Sequence, residues 1–286
     1  MDPIDAATAW DLIRRCKARC PGTDDDVLRA GGEDAIRVLP GGHWKPLLPV
    51  NAEAHHLFDL YLPLAVQPCY AIAQLGQSLD GHIATDSGHS RFVTGAEDIR
   101  HLHRLRALAD AVVVGPGTIV ADNPRLTVRE VPGDQPLRVV LDPRNRLDTG
   151  FRLFRDGAGP TLLIRSRAEP EPGGETQRAV LPAGEDGFAP GEVLALLRRH
   201  GRQRVLIEGG GQTVSRFLAA GVLDRLHVTV APVVIGSGRP GLSLPPIATM
   251  DQAMRPACRN FRLGDDVLFD FLLSGIFTGR PASGGD

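Results

Sequence analysis

Two glycine-rich strand ends, with carboxylates and arginines near them, are where this chain could do chemistry. The first is Glu208-Gly209-Gly210-Gly211-Gln212-Thr213, directly after the apolar run 204–207. A buried strand that turns on glycines into a helix leaves unpartnered N–H groups at the helix start. The helix dipole adds partial positive charge there, an arrangement that binds phosphate or pyrophosphate. Val214, Phe217 and Leu218 give the helix an apolar face to hold against a sheet. The string is not G-x-G-x-x-G, since Val214 fills the last position, and no Gly-Lys-Ser/Thr makes it a P-loop. A tight turn with close packing accounts for the glycines equally well, so the spacing leaves both readings open.

The second is the segment from Gly115 to Arg129, GPGTIVADNPRLTVR, after the apolar run 111–114. Gly115 and Gly117 open a short helical turn. Asn123-Pro124 ends it, because the residue before proline avoids the helical region. Asp122 and Arg129 then fall on irregular chain at a strand's carboxyl end, where open α/β sheets bind ligands. A capped loop with a solvated arginine is the plain alternative.

Smaller signals surround these two. Thr94-x-x-Glu97 reads as a capping box, followed by an apolar stripe of Ile99, Leu102 and Leu105. Arg106 lies close to that stripe and needs a partner, either Asp110 four residues on or a substrate phosphate. In LGQSLDGHIATDSGHSRF, residues 75–92, Asp80-Gly81 signals a turn, and Ser90 and Phe92 could line a pocket. Arg144 and Arg146 follow one apolar run, Arg165 and Arg167 another. Such strand-end arginines either grip a 2′-phosphate or decorate the surface. His101 and His103 flank the stripe and read as exposed, as do His55 and His56. Cys16 and Cys20 read as semi-buried thiols, because no second pair follows at zinc spacing. No H-E-x-x-H and no G-x-S-x-G occurs, and no metal site is expected.

The elements that must position these groups follow from the hydrophobic pattern. Apolar runs at 69–75, 110–115, 137–141, 161–164, 178–181, 204–208, 225–234 and 267–272 predict strands. Residues 4–19, 51–62, 95–109, 192–200 and 212–220 predict helices, with a hairpin around Pro40-Gly41-Gly42 and a linker from Pro63 to Pro68. Strand–helix alternation specifies an α/β layer fold with a mostly parallel central sheet flanked by helices. No long helix separates the last two strand runs, so an antiparallel C-terminal portion is expected. The run VTVAPVVIG suits either a buried central strand or a subunit interface. The expected organisation is an N-terminal helix/hairpin extension over 1–67, a catalytic domain over 68–273 and a mobile tail over 274–286.

Composition excludes several classes. The chain has 286 residues, formal net charge −2, 42% hydrophobic residues and four cysteines. No basic block supports nucleic-acid binding, and no eighteen-residue apolar run supports a membrane span. The acidic start is not a secretory signal. Few, scattered cysteines fit reduced thiols in the cytoplasm.

Taken in order, SLDG, GPGTIVADNPRLTVR and EGGGQTV…FL…GVLDRLHVTVAPVVIGSG resemble the reductase domain of bacterial riboflavin biosynthesis, over roughly residues 69–273. The resemblance implies a dihydrofolate-reductase-like fold and NADPH-dependent reduction of a ribosylamino-pyrimidine 5′-phosphate to its ribitylamino form. The implied activity is like that of a 5-amino-6-(5-phosphoribosylamino)uracil reductase, and a homodimer is expected. It further implies that Ser90, Phe92, Arg106, Leu126 and Arg129 contact the phosphorylated substrate, that Asp122 and Glu208 are catalytic, and that Thr118 lies between cofactor and substrate. Gly209, Gly210, Gly211, Gln212 and Thr213 would hold the cofactor pyrophosphate, with Arg144 and Arg146 at its 2′-phosphate. Two positions depart from the family pattern: Gln74 replaces a common lysine and Phe92 a common tryptophan. The zinc-deaminase signature of the bifunctional members is missing, so a separate protein is expected to deaminate. A dihydrofolate-type or small imine/carbonyl reductase, or a nucleotide-binding module without turnover, are the alternatives.

Overall fold

Period-2 and period-3.6 apolar patterns divide the chain as expected, and a computed structural model describes residues 2–19, 25–168 and 176–274. The Cys16/Cys20 pairing and the tail beyond Ser274 lie outside the described residues. Two compact units divide between Tyr70 and Ala71.

In the first unit, α1 (Ala6–Arg19) packs on α2 (Ala52–Ala65) beside an antiparallel sheet of β1 (Asp26–Ala30), β2 (Glu33–Val38) and β3 (Trp44–Pro46). Asn51 starts α2 by accepting from the Ala54 amide at 2.8 Å, a side-chain cap that satisfies one orphan donor. The expected hairpin at Pro40-Gly41-Gly42 joins β2 to β3. The expected linker does not begin at Pro63: α2 continues through that proline to Ala65. The proline is buried, and its ring faces the backbone of Gly42 too closely for any side chain there. Packing thus outweighs the lost helical hydrogen bond.

The second unit is built on one nine-stranded sheet. Its strands are β4 (Tyr70–Ser78), β6 (Ala111–Val114), β7 (Leu137–Asp142), β8 (Thr161–Arg165), β9 (Gln177–Val180), β12 (Arg204–Glu208), β13 (Arg225–Ala231), β15 (Ala257–Leu263) and β16 (Asp266–Leu272). The order is β15-β16-β13-β4-β12-β6-β7-β8-β9. Pairing is parallel from β12 through β6, β7 and β8 to β9, and between β4 and β13. It is antiparallel at β13–β16 and β15–β16, the expected C-terminal portion. Two short ribbons complete the unit: β5 (His82–Thr85) with β14 (Gly238–Pro240), and β10 (Ala183–Gly184) with β11 (Gly187–Phe188).

Alternate residues of the central strands feed a core with α5 (Pro190–Arg199) and α6 (Gly211–Ala219), where Val113, Val139, Leu197, Ile207, Val214 and Phe217 are all buried. The other sheet face carries α3 (Ala96–Leu108), and there it is polar: Gln74, His227, Thr229 and Asp270 are buried under Asp98 and His101. Asp270 gathers Arg225, Arg259 and His227. Burial opposes its ionisation, but these partners outweigh burial and hold the carboxyl below the usual range.

Three expectations are corrected on this face. His101 and His103 are buried, not exposed. His101 Nε2 lies 3.1 Å from His227 Nδ1, and His103 Nδ1 accepts from the Arg129 amide at 3.0 Å; each has a polar partner that makes burial tolerable. The capping box at Thr94 does not form, because Gly95 is the N-cap and its amide donates to Asp266 Oδ2 at 2.7 Å. Thr94 instead hydrogen-bonds Asp98. The strand predicted to reach residue 234 ends at Ala231, and β15 was not anticipated, since its mostly exposed ACRNFRL carries no apolar alternation.

Candidate active site

A cleft of about 1090 Å³ opens in the second unit. Its walls come from the chain leaving β6 and β12, from β4, from α3 and from the β5–β14 ribbon. The carboxyl ends of parallel strands carry binding groups because the loops that follow them are free to vary.

At the end of β12, Glu208 is buried and meets Arg106 of α3 in a two-point ion pair: Nε to Oε1 and Nη2 to Oε2, both 2.8 Å. Arg106 Nη1 donates to the Thr127 carbonyl at 3.0 Å. Asp110, one of the two partners foreseen for Arg106, does not hold it. Asp110 instead accepts from the Gln203 and Arg204 amides. Three of the five guanidinium donors are engaged internally, so Arg106 chiefly orients Glu208.

Beyond Glu208 the chain turns at Gly209, whose φ of 111° is closed to ordinary L-residues. Gly210 N donates to Thr118 Oγ1 at 3.0 Å, joining the two glycine-rich strand ends. Gly211 is required for a different reason: a side chain there would run into the carbonyls of Pro240 and Gly241. The glycines therefore partly serve packing, the plain alternative left open by the sequence. The first turn of α6 nevertheless borders the cleft with Gly209, Gly210, Gly211, Gln212 and Thr213, and helix-start amides lack intrahelical acceptors. A Cβ on Gly117 would meet nothing within 4 Å, and one on Gly210 would reach Thr118 Oγ1 only at 3.9 Å. The space facing these backbones is open, and the residues fit the diphosphate of a dinucleotide.

Asp122 is the last residue of α4 (Pro116–Asp122), which Asn123 ends in the left-handed region before Pro124. Its Oδ1 accepts from Ser90 Oγ at 3.1 Å. Leu126, at φ 56° and buried, folds the chain back toward α3. Arg129 then stands on the cleft wall with its side chain 48% exposed, 3.7 Å from Glu130. Its amide is fixed by His103. Burial, then the Arg106 and Arg129 charges, depress the His103 pKa to about 3. His103 is therefore neutral, and its Nδ1 is an acceptor.

Ser90, Phe92, Arg106, Leu126, Arg129, Thr118, Asp122, Glu208 and residues 209–213 all border this one cleft. Phe92 is 76% exposed at φ 67°, with the Arg91 guanidinium 4.8 Å from its ring centroid. Arg144 and Arg146 are not brought to it: both are exposed on the turn after β7, outside the cleft lining.

Sequence reasoning passed over Arg239, whose guanidinium lies against Gly88, and Asp98, a buried acid in the wall. Neither has a local signature; the ribbon and the register of α3 bring them in. Asp80 of SLDG is a clamp. It accepts from Ser78 Oγ (2.5 Å) and from the Ile235 and Gly236 amides (3.1 and 2.7 Å), holding the chain that leads into β14. The Ser78 hydroxyl and those amides keep its pKa below the usual carboxylate range.

Known proteins match this chain. Among curated relatives, the 2,5-diamino-6-ribosylamino-4(3H)-pyrimidinone 5′-phosphate reductase of Methanothermobacter thermautotrophicus is 35% identical over 215 residues, covering 72% of this chain and 99% of that protein. The riboflavin biosynthesis protein RibD of Aquifex aeolicus is 32% identical, covering 81% and 71%. Among solved structures, a Thermotoga maritima deaminase/5-amino-6-(5-phosphoribosylamino)uracil reductase superposes with a TM-score of 0.63 at 23% identity, over 77% of this chain and 61% of that one. The Saccharomyces cerevisiae reductase Rib7 gives 0.58 at 20% identity, over 71% and 89%. The two structural likenesses establish a shared fold. The profile of the RibD C-terminal domain matches residues 69–260, a span that contains every residue of the cleft, and the chain belongs to that family.

Proposed function

We propose that the chain is the pyrimidine reductase of riboflavin biosynthesis, reducing a ribosylamino-pyrimidine 5′-phosphate to the ribitylamino form with NADPH. The observation that carries the reading is one cleft that gathers Asp122, the Arg106–Glu208 pair, Arg129 and the open first turn of α6. Residues 68–273 are the proposed catalytic domain.

NADPH supplies the hydride when bound. Gly209 to Thr213 would receive its diphosphate on main-chain amides, with Thr118 beside them. Arg144 and Arg146, exposed beyond β7, are the proposed grip for the 2′-phosphate and for NADPH over NADH. Arg129, the partly exposed cation of the wall, suits the substrate phosphate. Glu208, locked by Arg106, presents its remaining lone pairs to sugar hydroxyls. Hydride arrival at the sugar carbon leaves a basic atom that needs a proton, and Asp122, hydrogen-bonded to Ser90, is the proposed donor. Leu126 and Phe92 would flank the pyrimidine.

The thiols of Cys69 and Cys258 fit a cytoplasmic location, and exposed Val233 and Val234 beyond β13 support a homodimer. The test is NADPH consumption with the ribosylamino-pyrimidine phosphate. Wild-type turnover that is undiminished in Asp122→Asn removes Asp122 from the mechanism, and no turnover with any such pyrimidine removes the function.

A further inference from the structure

Arg91, Arg106, Arg129 and Arg239 line the cleft, and the first three have a neighbour that engages them. Arg106 is locked to Glu208, Arg91 lies over the Phe92 ring and Arg129 stands beside Glu130. Arg239, on β14, differs: among the described residues none hydrogen-bonds or ion-pairs with its guanidinium. The group rests on the backbone of Gly88, where a Cβ would come within 2.7 to 3.0 Å of its atoms, so glycine leaves it that seat.

The main chain around Arg239 is pinned to α6. β14 pairs with β5, with Arg239 opposite Ala84. The Gly241 amide donates to the Gly81 carbonyl and the Ser243 amide to Ser215 Oγ of α6, both at 2.8 Å. The Pro240 and Gly241 carbonyls press on Gly211. Arg239 therefore joins the cleft one residue away from the backbone that packs on the first turn of α6.

Charge bookkeeping gives this cation a ligand. The carboxylates of the lining are Asp98, Asp122 and Glu208. Arg106 neutralises Glu208, and burial raises the Asp98 pKa toward the neutral acid. The remaining surface is cationic, and the proposed reaction brings two separate anionic groups to it, a substrate monophosphate and a cofactor diphosphate. Arg129 is tied to α3 through its amide and His103, whereas Arg239 is tied to α6. Two cations on different elements match two anions held apart. Main-chain amides alone would meet the diphosphate with only the partial charge of the helix dipole. A guanidinium adds full charge and two-point hydrogen bonds to phosphate oxygens.

We propose that Arg239 is the cation of the diphosphate subsite, gripping from the β5–β14 ribbon the phosphates that the first turn of α6 receives. The inference rests on the reading of the chain as an NADPH-dependent reductase.

The experiment is fluorescence titration of the full chain with NADPH and with NADH, at low and high ionic strength, for wild type and Arg239→Met, with thermal unfolding as the control for folding. Arg239→Met should raise the Kd of NADPH about 10-fold, the lower end for a charge-assisted hydrogen bond because this side chain is exposed. The salt dependence of binding should flatten with it. NADH, which keeps the diphosphate and lacks the 2′-phosphate, should lose affinity by the same factor, and KM for the pyrimidine phosphate at saturating NADPH should not move. An unchanged Kd in a folded variant would overturn the proposal. So would a loss confined to NADPH, which assigns Arg239 to the 2′-phosphate, or a rise in pyrimidine KM alone, which assigns it to the substrate. Should Arg239→Met fail to fold, Arg239→Gln carries the same comparison. Failure of wild type to bind NADPH is a different outcome: it removes the reductase reading, and this inference with it.

Discussion

Breaking the Arg106–Glu208 pair should cost the second unit much of its stability. Both side chains are nearly inaccessible, at 8% and 6%, and two 2.8 Å contacts join them. Replacing Glu208 by leucine leaves the guanidinium with its hydrogen bond to the Thr127 carbonyl but without its counter-charge. An uncompensated buried charge of this kind costs about 3–5 kcal/mol, or a fall in Tm of about 6–20 °C for a domain of roughly 200 residues. Arg106→Met, which strands the carboxylate instead, should cost a similar amount. The double substitution Arg106→Met with Glu208→Leu removes both charges, and an apolar pair of matching bulk is close to neutral in such a site. Urea unfolding of the four proteins measures the coupling directly. The reasoning fails if either single variant unfolds within about 0.5 kcal/mol of wild type, or if the double variant loses the sum of the two. Recovered stability with abolished turnover would separate the two duties of the pair.

Other outcomes follow from the same geometry. Gly211→Ala, which drives a methyl group into the Pro240 and Gly241 carbonyls, should cost more than about 1 kcal/mol and weaken NADPH binding; fluorescence titration and thermal unfolding check both. Asp122→Asn should lower kcat by about 10²- to 10⁴-fold, the worth of a positioned general acid, with NADPH affinity little changed. His103 stays neutral down to about pH 3, whereas an unfolded histidine takes up a proton near pH 6.5. The unfolded state therefore binds the extra proton between those values, and stability should drop as the pH is lowered through that window, by up to about 1.4 kcal/mol per unit. Urea midpoints at about pH 7.5 and about pH 5, either side of the unfolded pKa, should show this dependence in wild type and its loss in His103→Gln.

How much of this protein is legible without coordinates depends on how local each cause is. The strands at 111–114, 137–142, 161–165 and 204–208 are short apolar runs bounded by turn residues, and their type follows from composition alone. The two glycine-rich strand ends, Asp122, Arg129 and the apolar face of α6 follow from adjacent residues in the same way, so the main cleft was readable in outline. The polar face under α3 was not. His101 and His103 look like surface residues until β13 brings up His227 and the Arg129 amide turns toward α3. Arg106 finds Glu208 across 102 residues of chain, and Asp98 finds Thr229 across 131. A buried polar group is stable only when its partner is in place, and register between distant strands sets that partner. Periodicity reports which face an element buries; which charge waits on the other side is decided only when the sheet closes beneath the helix.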